Sequence, residues 1–326
     1  MAKITYQGSV YELLPEETLL DGLTRQGLLL PSSCRSGVCQ TCLMKATVGR
    51  PPADSQRDLK PTLAAQHYFC ACLCKPDSDL EVTLPDALQQ QRLTATLVEK
   101  RALNSDIVQL TLHCPELNDF HGGQFLNLYR SDGLTRSYSI ANLPNRDQLV
   151  ELHVRRLPQG AMSSWLHDTF AVGQEITTSA AHGHCFYIPD KPEQDLLLVG
   201  TGSGLAPLLA IIRDALAHHH RGAIRLYHGS RQAEALYLCD ELTALAAQHP
   251  QFHYVPCVSN GHPYPHIRVG RADQQALNDL PNLKGWRVFI CGNPNMVADF
   301  KRQSFLAGAS FQEIYTDAFT VSPPLR

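Results

Sequence analysis

The chain has 326 residues, 44% hydrophobic and 18% charged, which excludes a mini-protein or a disordered solvating chain and predicts two or three domains at roughly 100–200 residues each. Lys+Arg is 28 against Asp+Glu 31, a net charge of −3, so no positive field gathers a phosphate backbone and nucleic acid is excluded as a partner. The most apolar runs, such as Leu196-Leu197-Leu198-Val199, are far shorter than the roughly 20 residues of a membrane span. Met1–Gln7 alternates like a strand and carries no secretory signal, so a cytoplasmic chain is expected.

The next predicted element is a helix opened by Pro15-Glu16-Glu17, with acidic residues in its first turn and Gly27 just past its end. Then come cysteines: six of the chain's eleven fall within residues 34 to 74. In a reducing compartment, an odd count without an export signal predicts metal or redox chemistry rather than disulfides. Cys34, Cys39 and Cys42 have C-x4-C-x2-C spacing, and Cys72 follows after twenty-nine intervening residues, the plant-type arrangement of ligands for a [2Fe-2S] cluster. Ser32, Ser33, Ser36 and Gly37 keep the loop small enough for backbone N–H groups to reach sulfur, and Gly37 tolerates positive φ. A structural zinc site is the rival reading, but Cys70, Cys72 and Cys74 form no knuckle. They alternate as on a strand, which puts Cys72 on one side and leaves Cys70 and Cys74 as small inert thiols.

The stretch Leu30-Pro31-Ser32-Ser33-Cys34-Arg35-Ser36-Gly37-Val38-Cys39-Gln40-Thr41-Cys42, with Tyr68-Phe69-Cys70-Ala71-Cys72, resembles plant-type ferredoxin domains. That family usually has glycine where Gln40 stands. Residues 1–85 carry 8 Lys+Arg and 9 Asp+Glu, so the strongly acidic docking face of some soluble ferredoxins is absent.

Residues 86–91 are polar after Pro85 and read as a linker. Beyond it, alternating runs such as Leu93–Val98 and Ile107–Leu112 recur between turn signals, predicting antiparallel β structure over 92–192. From 193 to 326 the pattern becomes apolar strand, glycine loop and helix, predicting a parallel sheet. His218-His219-His220 reads as a solvated helix end.

Arg136-Ser137-Tyr138-Ser139 resembles the R-x-Y-S flavin site of the ferredoxin-reductase superfamily; its arginine suits a phosphate, its tyrosine a flat ring, and Ser139 the reactive edge. His153-Val154-Arg155-Arg156 with Gly160-Ala161-Met162-Ser163-Ser164-Trp165-Leu166 resembles the second flavin motif, in which a helix start receives a pyrophosphate. The resemblance implies FAD, with Val154, Arg155, Gly160, Met162 and Ser163 among its contacts.

Gly200-Thr201-Gly202-Ser203-Gly204-Leu205-Ala206-Pro207 follows an apolar strand and opens a helix, a phosphate-binding context, although Leu205 takes the third glycine place of G-x-G-x-x-G. In the family G-T-G-x-G-x-A-P is the nicotinamide-nucleotide loop, and Cys291-Gly292-Asn293-Pro294 resembles the C-G-x-P turn beside the nicotinamide, with Cys291 catalytic. Ser230 and Arg231 end the next strand with no acidic residue to take a ribose 2′-hydroxyl; they suit a 2′-phosphate, yet G-x-R is also common in family members that use NADH, which is favoured narrowly over NADPH. Tyr315-Thr316-Asp317-Ala318-Phe319 resembles the ending that reaches the flavin, with Phe319 stacking and Asp317 where glutamate is common.

The resemblance covers the chain and is closest to reductase components of bacterial multicomponent oxygenases of the benzoate, phenol and methane type. It implies a multidomain α+β and α/β fold: a β-grasp ferredoxin domain (1–85), an antiparallel β-barrel flavin domain (92–192) and a parallel α/β nucleotide-binding domain (193–326). It also implies electron flow from NAD(P)H through FAD and the cluster to an oxygenase or other protein acceptor. A reductase partner for a deoxysugar dehydratase and a flavin or small-molecule reductase are the rival readings.

Overall fold

The computed structural model describes residues 2–85, 91–117, 119–260 and 265–320; all of the expected linker except Gln91 lies outside them. The chain divides into two compact units, Met1–Gln91 and Arg92–Arg326. Among the described residues no helix is long and apolar enough to cross a membrane.

In the first unit β1 (Lys3–Tyr6), β2 (Ser9–Glu12), β3 (Leu43–Val48), β4 (Tyr68–Cys70) and β5 (Leu80–Thr83) form one sheet in the order β2-β1-β5-β3-β4. Only β1 and β5 are parallel neighbours. Helix α1 (Leu19–Arg25) lays Leu19, Leu20 and Leu23 on the core shared by Ile4, Phe69 and Leu80, the grasp expected from the sequence. It starts later than its acidic opening suggests. Glu16 is left-handed (φ 62), and the Glu17 carboxylate accepts from the Leu14 N–H (2.9 Å) and from Arg25, so Thr18 becomes the cap, its hydroxyl accepting from Asp21 N–H.

The expected alternation of Cys70, Cys72 and Cys74 also gives way. Strand β4 ends at Cys70, and the chain turns there, Leu73 N–H donating to the Cys70 carbonyl at 3.0 Å. A short helix, α2 (Pro61–Ala65), precedes that strand.

The second unit contains two sheets. Strands β6 (Leu93–Ala102), β7 (Ile107–His113), β8 (Phe125–Tyr129), β9 (Thr135–Ser139), β10 (Leu149–Arg155) and β11 (Glu175–Thr178) are antiparallel in the order β10-β7-β6-β11-β8-β9. A bridge from Ile140 to Leu152 joins the two ends, which closes the barrel. Helix α3 (Ala161–Asp168) packs Met162 and Leu166 on the barrel core.

The other sheet is wholly parallel: β12 (Leu196–Thr201), β13 (Ile224–Ser230), β14 (Phe252–Val258), β15 (Arg268–Val269), β16 (Arg287–Gly292) and β17 (Ile314–Ala318), ordered β15-β14-β13-β12-β16-β17. Leu196 and Leu198 belong to the core with helices α4 (Leu205–Ala217) and α5 (Cys239–Gln248). Leu197 and Val199 belong to the core with α6 (Ala272–Asp279) and α7 (Pro294–Leu306). Both faces are covered, which is why β12 is apolar without alternation. The strand order reverses between β12 and β16, and the crevice beyond their carboxyl ends is where such sheets bind ligands.

At the entry to β16, Arg287 is buried and held by Asp190 (2.9 Å) and Glu313 (2.6 Å), a paired interior charge. His220 is no solvated helix end: it is buried against Tyr187, whose Oη lies 3.1 Å from its Nδ1.

Candidate functional site

The cysteine loop leads from α1 to β3. Its tight path is made by three left-handed residues, Arg35 (φ 55), Gly37 (φ 83) and Gln40 (φ 55). Gly37 is required twice over, since a Cβ there would lie 2.4 Å from Leu73 Cδ1. Gln40 shows what the family's glycine is for: the position is left-handed, and here a side chain carries that conformation while its Nε2 donates to the Asp58 carbonyl at 3.4 Å.

The loop turns N–H groups onto sulfur. Ser36 and Cys39 both donate to Cys34 Sγ at 3.4 Å, and Cys34 N–H donates to Cys39 Sγ at 3.5 Å. Donation from Ser36 and Cys39 draws the Cys34 thiol down to about 6. Cys42 is buried beside Cys70 and Cys72, and hydrogen bonding from Cys70 draws it down to about 5. Burial pushes Cys72 up to about 11, while Cys70 points its thiol at the Gly37 carbonyl, 3.6 Å away. N–H donors on the Cys34 and Cys39 sulfurs, with Cys42 and Cys72 buried together beneath them, are the chemistry an iron–sulfur cluster asks of its ligands. Among the described residues no three His, Cys, Asp or Glu side chains are grouped to hold a single metal ion.

In the second unit, β9 presents Arg136, Ser137, Tyr138 and Ser139 against β8. Tyr138 packs on the barrel core and its phenol is pushed up by burial; Ser137 donates to Asn127 Oδ1 at 2.6 Å. The second flavin motif ends β10 and caps α3. A Cβ at Gly160 would lie 2.5 Å from Ser163 Oγ. That hydroxyl accepts from Leu157 N–H and donates to the Gly160 carbonyl, both at 3.1 Å. Ser163 thus fixes the turn, and the open N–H groups of the first helical turn are what remain for an anion. Val154 and Met162 bury their side chains in the barrel core, and the Val154 carbonyl lies 3.0 Å from His167 Nε2. Arg155 extends over the nucleotide loop: a Cβ at Gly202 would lie 3.5 Å from its Nη1.

The loop Gly200–Gly204 and the turn Cys291–Asn293 interlock at the switch point. A Cβ at Gly204 would lie 2.4 Å from the Cys291 carbonyl, and one at Gly292 (φ 115) 2.7 Å from the Thr201 carbonyl. Thr201 Oγ1 accepts from Asn293 N–H at 3.1 Å. The close approach that a third glycine serves in the strict fingerprint is made here by Gly204, so Leu205 is free to enter the core, with Ala206 and Pro207 buried behind it in the first turn of α4. Pro294 opens α7 under an Asn293 cap.

Around this turn, distant residues converge. Asp317 stands opposite Cys291 in the β16–β17 register, and Ser139 Oγ from the barrel donates to Asp317 Oδ2 at 2.6 Å. Burial raises the Asp317 carboxyl despite that donor, and pushes the Cys291 thiol well up. Phe319 is tied to the turn by its N–H, which donates to the Gly292 carbonyl at 2.8 Å. Cys185 Sγ lies 3.8 Å from Cys291 Sγ; as a single cysteine far away in sequence it gave no signal. Ser259 and Asn260 lie in no motif either, yet their N–H groups donate to the carbonyls of Ser230 and Arg231, placing them at the same strand ends.

Comparison with known proteins follows this division. Residues 4–77 match a 2Fe-2S iron–sulfur cluster binding domain, residues 94–187 an oxidoreductase FAD-binding domain and residues 198–302 an oxidoreductase NAD-binding domain. The chain is 35% identical to the reductase subunit of an aromatic O-demethylase from an Amycolatopsis species, over 93% of this chain and 95% of that protein. It is 31% identical to the ferredoxin–NAD(P)+ reductase component of a naphthalene 1,2-dioxygenase system from Pseudomonas putida, over 92% and 93%. A crystal structure of an Amycolatopsis cytochrome P450 reductase superposes with TM-score 0.68 at 32% identity, covering 98% of this chain and 99% of that one.

Proposed function

Because this chain belongs to the family of iron–sulfur flavoprotein reductases built from a [2Fe-2S], an FAD-binding and an NAD-binding domain, we propose that it is the reductase component of an oxygenase system acting on aromatic compounds. The enzyme is an NAD(P)H-dependent oxidoreductase. With its groups bound, nicotinamide supplies electrons in pairs as hydride, FAD divides the pair and the cluster releases them singly.

The observation that carries the reading is the contact of Ser139, from the flavin barrel, with Asp317 beside Cys291 in the nucleotide sheet. It brings the two motifs to one water-poor crevice. There Ser139 Oγ donates to Asp317 Oδ2 where the reactive edge of a bound flavin would sit, and the turn that begins at Cys291 would bound the nicotinamide side. Arg136, Arg155 and the α3 N-terminus would bind the flavin phosphates; Gly200–Gly204 would receive the nucleotide diphosphate. Cys34, Cys39, Cys42 and Cys72 would hold the cluster, a choice supported by the C-x4-C-x2-C spacing and the position of the fourth cysteine. NADH is the assigned donor, with Ser230 and Arg231 at its ribose. Eleven cysteines that form no disulfide suit a reducing compartment, the cytoplasm.

The test is anaerobic titration of the loaded protein with NADH, followed by absorption and EPR, then mixing with a purified aromatic oxygenase component. A two-iron signal that disappears on adding the oxygenase is expected. A cluster that stays oxidised while the flavin bleaches sinks the proposal, and a kcat/KM favouring NADPH strongly would reassign the donor.

A further inference from the structure

Between the two flavin motifs lies a clamp that neither motif contains. Strands β8 and β9 pair as far as Tyr129 and Thr135, and the loop between them, Arg130–Leu134, is fixed by its own backbone. Arg130 N–H donates to the Leu134 carbonyl, and N–H of the left-handed Gly133 (φ 89) donates to the Arg130 carbonyl, both at 2.9 Å. Leu134 anchors the loop in the barrel core. The Arg130 side chain leaves this loop in a set direction. Its Nε and Nη2 donate to the two carboxylate oxygens of Asp132, at 2.9 Å for Nε, and Asp132 in turn accepts from Leu134 N–H at 3.2 Å. The remaining nitrogen, Nη1, donates to the Ala161 carbonyl at 3.0 Å. The guanidinium carbon lies 5.9 Å from the centre of the Trp165 ring, which stacks on Phe170.

Ala161 is the first residue of α3, and Trp165 lies one turn on. Arg130 therefore grips the helix at two successive turns while tied to the hairpin whose other arm carries Arg136 and Tyr138. A planar fork makes this possible, because each of its nitrogens keeps a separate bond. The grip is electrostatically one-sided: a guanidinium at the first turn of a helix stands at the positive end of the dipole, where a cation is disfavoured. Asp132 balances it in part, and an anion at the helix start would complete the balance.

We propose that Arg130 is a positioning residue of the flavin site: it fixes the first turn of α3 against the β8–β9 hairpin, so that the open N–H groups of the helix and Arg136 meet the same flavin diphosphate. This rests on α3 receiving that diphosphate.

The test strips FAD from the cluster-loaded full chain and titrates it back, following flavin fluorescence, with NADH oxidation by ferricyanide measured over a range of FAD. In Arg130→Gln the Kd for FAD rises about tenfold, as expected for losing a charge-assisted hydrogen bond. Arg130→Lys keeps the charge without the fork and raises Kd about fivefold. Asp132→Asn, which loosens the fork, raises it about threefold. In all three, kcat at saturating FAD stays within twofold of wild type, which separates a misaimed helix from a damaged barrel. Unchanged Kd in Arg130→Gln, wild-type affinity in Arg130→Lys, or a kcat that excess FAD does not restore overturns the proposal. Riboflavin binding to wild type as tightly as FAD would show instead that no phosphate is held, and overturns the reading of α3 itself.

Discussion

The cysteine loop of the first unit and the Ser139–Asp317–Cys291 centre of the second handle charge in opposite ways. In the loop, Cys34 and Cys39 are exposed, and backbone N–H groups surround sulfur so that a thiolate is favoured in water. At the centre Cys291 is buried, and burial raises both its thiol and the Asp317 carboxyl, which favours the neutral forms. The first arrangement suits an outlet that hands single electrons to another protein across a surface; the second suits hydride chemistry, which is protected by excluding water. The contrast teaches that charge is stabilised where a partner must reach it and suppressed where solvent must be kept out.

The sharpest way to break that contrast is Cys39→Ser. NADH-driven reduction of cytochrome c should fall by about 1000-fold or more, since the single-electron outlet requires the cluster, while ferricyanide reduction from the flavin stays near wild type. Parallel loss of both rates would show that the two ends are not separable.

At the buried end, Ser139→Ala strips Asp317 of its donor. Stopped-flow flavin reduction should slow about 100-fold, the usual size of losing one well-placed donor. A rate within twofold of wild type would remove Ser139 from the reacting centre.

Gly204→Ala separates packing from chemistry. Its Cβ meets the Cys291 carbonyl at 2.4 Å, so stability should fall by about 2 kcal/mol in denaturant titration, whereas alanine at Gly27, where nothing lies within 4 Å, should suffer only its left-handed backbone, about 1 kcal/mol.

The last effect concerns pH. Burial alone would raise Glu313, yet donation from Arg287 and Lys191 outweighs it and holds the carboxyl below its ordinary 4.5. A depressed folded-state value means Glu313 contributes stability above pH 4.5 and loses it as pH falls through the folded value. Glu313→Gln should cost about 1.5 kcal/mol at pH 7, with the gap from wild type closing below pH 4.5 in chemical denaturation.

Sequence-local features were the most legible. The Cys34–Cys42 spacing, the β12 loop and the C-G-x-P turn each lie within one short segment, so the backbone requirements are written contiguously. What was not legible depends on contacts between distant segments. His220 reads as solvated until Tyr187 covers it, and the helix at α1 starts late because Glu17 is drawn to Arg25. The Cys70–Cys74 alternation fails because β4 stops where the chain must turn back under Gly37. Ser139 and Asp317 are separated by 178 residues, and their pairing follows from the closure of the barrel against the parallel sheet.

The interlock of Thr201 with Gly292 and of Gly204 with Cys291 limits how this enzyme can be re-engineered. Neither segment has room to change shape alone, so a nucleotide loop grafted from a relative must bring 200–207 and 291–294 together, as a single cassette.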